Sequence, residues 1–73
     1  MNKYQYLLKK KESGELSILQ REFGLPSHLS NWMDYYAFHL VHPKASYYEI
    51  SYHFHVTKST IDRAVHFMDQ PLS

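Results

Sequence analysis

The residues able to do chemistry at a recognisable spacing lie between Thr57 and His66. They are Thr57, Lys58, Ser59, Thr60, Asp62, Arg63 and His66, so hydroxyls, cations, a carboxylate and an imidazole crowd one short stretch. The chemistry they offer is recognition. An arginine can donate two hydrogen bonds to guanine O6 and N7, Lys58 and Ser59 can hold phosphate oxygens, and Asp62 can accept from cytosine N4 or orient Arg63. Between these polar positions Ile61, Ala64, Val65 and Met68 recur at i, i+3, i+4 and i+7, the mark of a helix with one apolar stripe and an opposite donor-rich side.

Such a side must be held out from the molecule by its neighbours, and the preceding residues are suited to that. Ser46 with Glu49 three positions on reads as a capping box that starts a short helix at Tyr47. Tyr47, Ile50 and Phe54 give that helix an apolar side, and small Ser51 lets another helix come close. Thr57 then caps the next helix, so two short helices joined by a three-residue turn are expected, the arrangement called helix-turn-helix. Upstream, Leu29, Trp32, Met33, Tyr36, Leu40 and Val41 predict the longest helix, capped at Ser27 and halted by Pro43, with Trp32, Tyr36 and Leu40 against the final pair. Two further helices open the chain. Tyr4, Leu7 and Leu8 stripe the first, ended by Gly14; Leu16, Leu19 and Phe23 stripe the second, ended by Gly24 and Pro26. A weaker echo of the motif, LQREFGLPSHL from Leu19 to Leu29, is a possible degenerate repeat.

The expected fold class is therefore all-α: a small bundle of about five helices ending in a tri-helical helix-turn-helix unit. Residues 1–73 form one domain, with 1–26 the opening helices and 27–70 the helix-turn-helix unit. Seventy-three residues at 44% hydrophobic and 16% aromatic content support one small, ring-rich core. The chain has no cysteine, which removes disulfides and thiolate metal sites and fits a reducing compartment. No apolar run approaches the roughly 18 residues of a membrane span, and the first residues lack a secretory signal's apolar core. A soluble cytoplasmic protein is the expectation, with no membrane partner.

The HPKASYYEISYHFHVTKSTIDRAV stretch resembles the helix-turn-helix of bacterial transcription regulators and transposase-type DNA-binding domains. Glu49, Ile50, Ser51, Phe54, Val56, Thr57, Ser59, Thr60 and Ile61 carry the resemblance, which covers about a third of the chain. It implies that Thr57, Lys58, Ser59, Asp62, Arg63 and His66 face DNA, with Thr60 able to touch phosphate. One position departs from the pattern. His55 stands where such turns carry glycine, so a positive backbone angle is expected at a histidine, a residue type that tolerates it at some cost.

Charge weighs on the other side. Eight basic and seven acidic residues leave a net +1, whereas duplex binders usually present a distinctly basic face. Lys3, Lys9, Lys10 and Lys11 form a second basic cluster at the far end of the chain, read as a solvated helix face. Double-stranded DNA is the expected partner and a small sequence-specific transcriptional regulator the expected function. The alternative is a small protein-binding adaptor or inhibitor, phage-encoded for instance, that targets transcription machinery such as RNA polymerase through outward tyrosines with His53 and His55. A third arrangement combines the two, the opening helices pairing two copies as a homodimer or recruiting a protein partner. His39 and His42, three apart, invite a metal reading, but no ligand set at a fixed spacing completes it. No phosphate loop, nucleophile elbow or recurrent acid pair is present, so no catalytic residue, metal or cofactor is expected.

Overall fold

The computed structural model describes residues 1–23 and 28–72, and five helices build these described residues. They are α1 Lys3–Glu12, α2 Glu15–Phe23, α3 Leu29–Val41, α4 Tyr47–Phe54 and α5 Lys58–Asp69. Local chemistry explains most of the boundaries. Asn2 caps α1 with a complete capping box: its Oδ1 accepts from the Gln5 amide and Gln5 Oε1 accepts from the Asn2 amide, both at 2.9 Å. Gly14 follows the end of α1 at φ 81°, in the left-handed region open to a residue without Cβ. The ring of Pro43 bars its predecessor from helical angles, and His42 sits at φ −121°, ψ 68°. Ser46 Oγ accepts from the Glu49 amide at 3.1 Å. No bond runs back from the Glu49 carboxylate among the described residues, so half of the expected box is made. Ser27, Gly24, Pro26 and the centre of the LQREFGLPSHL echo lie outside the described residues; His28 occupies the N-cap position of α3 without a side-chain bond.

The apolar stripes converge on one core. Leu7 and Leu16 enter from α1 and α2, Leu29, Met33, Tyr35 and Tyr36 from α3, Ile50 from α4, and Ile61, Ala64, Val65 and Met68 from α5. Ile50, Ile61 and Met68 are fully buried, each contributing about 1.5–3 kcal/mol relative to exposure. Among the described elements α5 packs against α1, α3 and α4, whereas α2 packs on α1 alone. The expected role of Leu40 is corrected: it is 53% exposed and Val41 73% exposed, while Trp32 is half-buried with its ring edge-on to Phe67. The last turn of α3 meets α4 through Tyr35 and Phe38 instead, which turns Leu40 and Val41 to solvent.

The two ends of the chain are fastened together. Lys3 N donates to Gln70 O at 2.9 Å and Leu72 N to Met1 O at 3.1 Å. Beneath this clasp the Tyr36 hydroxyl donates to Asp69 Oδ1 at 2.9 Å and accepts from Asn2 Nδ2 at 3.4 Å, so α1, α3 and α5 share one polar staple. Burial, and then the Asp69 carboxylate it bonds, push the Tyr36 phenol above the usual phenol range.

Candidate nucleic-acid interface

The geometry of α4 and α5 is set at His55. Its backbone lies at φ 58°, ψ 44°, the left-handed conformation expected at this residue. The amide of Val56 donates to Ser51 O at 3.0 Å and that of His55 to Tyr52 O at 3.4 Å. These two bonds are the Schellman pair that closes a helix on a left-handed residue. The turn delivers the chain directly to Thr57, whose Oγ1 accepts from the Thr60 amide at 3.3 Å and starts α5. Ser51 is 3% exposed and donates its hydroxyl to Tyr48 O at 2.6 Å. Here α4 packs on α5, and Ile50 joins Ile61 and Ala64 in the same core.

With the stripe facing inward, the polar residues of α5 are left outside. Thr57, Lys58, Ser59, Asp62, Arg63 and His66 are all exposed. Asp62, Arg63 and His66 border one shallow depression, and no ion pair ties Asp62 to Arg63 among the described residues. Thr60 is half-buried, its Oγ1 at 2.9 Å from Thr57 Oγ1, and Ser59 Oγ is 3.2 Å from the same atom. The three hydroxyls therefore form a local cluster at the start of α5. Lys58 lies beside α4, its Nζ 5.8 Å from the centre of the Tyr48 ring, at the outer reach of a cation–π contact.

That tyrosine belongs to a set the sequence pattern places only partly. Tyr47 is half-buried and edge-on to His39 at 5.8 Å. Tyr48 and Tyr52, one turn apart on α4, are 61% and 76% exposed. The i, i+4 spacing is the signal that groups them on one face. His53 does not join them as a free group: its ring rests 4.5 Å from Phe38 and 4.8 Å from Phe54, in the aromatic joint between α3 and α4. The ring of His42 also lies 4.4 Å from that of Phe38. His39 Nδ1 is buried without a hydrogen-bond partner.

The Lys3, Lys9, Lys10, Lys11 cluster lies on α1. Lys10 is engaged there by Glu15 at 2.8 Å; this bond and its charge raise the lysine and lower the carboxyl from their ordinary pKa values. Among the described residues no group of three or more His, Cys, Asp or Glu side chains is arranged to hold a metal ion, and no helix is long and apolar enough to cross a membrane. No protein-family model matches this chain, and no curated protein or solved structure matches it either.

Proposed function

We propose that this chain is a small sequence-specific DNA-binding regulator that lays α5 in the major groove of a duplex. One observation carries the reading: a helix of 12 residues, anchored through Ile61, Ala64, Val65 and Met68, keeps Lys58, Ser59, Asp62, Arg63 and His66 exposed on its opposite side. A major groove about 12 Å wide admits such a helix. Arg63 then reads guanine, while Lys58, Ser59 and the hydroxyl cluster at the start of α5 engage phosphates. The left-handed turn at His55 holds α4 across the backbone beside it.

The test is a titration of a labelled random-sequence duplex pool at low and moderate salt, with the perturbed backbone amides mapped in parallel. Shifts confined to Thr57–His66 and affinity falling with salt are expected. On a duplex selected from that pool, Arg63→Ala is expected to lose about 1–3 kcal/mol of binding and to relax base preference. Equal affinity of variant and parent for the selected duplex refutes the role of Arg63. A second reading is favoured by the exposure of Tyr48 and Tyr52: α4 docks on a protein of the transcription machinery. Amide shifts on Tyr48–Tyr52 with such a protein, and none with DNA, select that reading.

A further inference from the structure

The hairpin of α1 and α2 takes no part in the function argued above. Between these helices, the start of α3 and the end of α5 lies an open apolar groove of about 340 Å³, bordered by Tyr6, Leu19, Leu29, Phe67 and Leu72 with Lys3 on its rim. Lys3 Nζ donates to Gln70 Oε1 at 2.6 Å and lies 4.3 Å over the Phe67 ring, but no carboxylate neutralises it among the described residues. Beside the groove, α2 carries a ridge. Glu15, Ile18 and Glu22 fall on one face of the helix at i, i+3 and i+7, and Ile18 is 42% exposed. With Glu15 paired to Lys10, the ridge is an apolar knob beside the acid Glu22, and the groove is an apolar hole beside a cation.

We propose that this face pairs two copies of the chain about a two-fold axis, with Ile18 of each copy seated in the groove of the other and Glu22 facing the other copy's Lys3. A two-fold contact requires each copy to carry both halves of a complementary surface. Here both halves are adjacent and opposite in charge: Leu19 borders the groove and Ile18, one residue away, is on the ridge. A foreign helix filling the groove leaves the Glu15–Ile18–Glu22 ridge uncovered; a second copy covers both. The helices that present the face are only ten and nine residues long, a modest area beside the roughly 800 Å² per partner of standard interfaces. The pairing is accordingly weak.

The pairing does not depend on DNA, so its test uses the full chain without any nucleic acid. Sedimentation equilibrium from about 10 µM to about 1 mM is expected to show a monomer–dimer equilibrium. Ile18→Asp is expected to raise the dissociation constant at least ~10-fold. Glu22→Lys is expected to raise it about 3-fold at low salt, an effect that fades at high salt. Both side chains are exposed, so the helical melting curve serves as the check that each variant is folded. A wild-type chain that stays monomeric to 1 mM overturns the proposal and leaves the groove to an unrelated helix. So does a dimer indifferent to both substitutions, or one dispersed by Tyr52→Asp instead, which puts the contact on α4.

Discussion

Replacing His55 by glycine and by alanine tests the joint on which the orientation of α5 depends, because the two substitutions are expected to move stability in opposite senses from their usual order. At an ordinary helical position alanine is more stable than glycine by about 0.5–1 kcal/mol. At φ 58°, ψ 44° the Cβ crowds the following carbonyl, a cost of about 1–2 kcal/mol that glycine escapes. Histidine is among the residues that tolerate this region best, so its own cost lies near the lower figure. Glycine gives back about 0.4–1 kcal/mol through the extra freedom of the unfolded chain. His55→Gly is therefore expected to gain about 0.5 kcal/mol, and His55→Ala to lie about 1 kcal/mol below His55→Gly. For a domain of this size 1 kcal/mol moves Tm by about 4–8 °C, so the glycine variant melts roughly 2–4 °C above the parent. The side chain is exposed, and its removal costs little packing to obscure the comparison. Thermal melts followed by circular dichroism measure the difference. An alanine variant that melts above the glycine variant refutes a left-handed backbone at this residue, and with it the geometry argued for α4 and α5.

Two further outcomes follow from the core. Tyr36→Phe removes the hydroxyl shared by Asp69 and Asn2 and is expected to lower unfolding free energy by about 1–3 kcal/mol, since one partner is a carboxylate; urea denaturation measures it. Because the folded-state pKa of Tyr36 is raised, its contribution is complete below the unfolded phenol value of about 10 and is lost as pH rises through the folded value. The parent should therefore show an alkaline fall in urea midpoint that is smaller in the phenylalanine variant. Ile61→Ala, at a fully buried site, is expected to cost about 2–5 kcal/mol. That is a large share of the roughly 4–11 kcal/mol available to 73 residues, and equilibrium unfolding should show the midpoint reduced by about a fifth or more.

The parts legible in the sequence are those governed by neighbours along the chain. Thr57 capping α5, the stripe from Ile61 to Met68, and the stops at Gly14 and Pro43 all depend on residues within one or two turns. The outward set on α5 was legible for the same reason, being the complement of its apolar stripe. Leu40 shows where this reasoning ends. It continues the spacing of Met33 and Tyr36, but α4 meets the end of α3 on the flank holding Tyr35 and Phe38, and only tertiary packing determines that flank. Thr60 is similar: its hydroxyl turns back to Thr57, so half of a residue assigned to phosphate is committed to the cap. The approach of Lys58 to Tyr48 and the stacking of His53 on Phe38 join residues on different elements, which no local periodicity reports.

Charge links the two proposals. A protein releases counterions in proportion to the phosphates it neutralises, and the slope of log affinity against log salt is about −0.9 for each. The exposed side of α5 carries only Lys58 and Arg63 as fixed cations, with Asp62 between them. One copy engaging two or three phosphates then has a slope of about −2 to −3, shallow for a protein that must choose among many sites. Two copies joined through α1 and α2 present two such helices and double the slope, while the net charge of each chain stays at +1. The hairpin that contributes nothing to the reading face can in this way decide whether that face is strong enough to matter. A chain of net charge +1 remains compatible with duplex binding when affinity is assembled from paired weak halves.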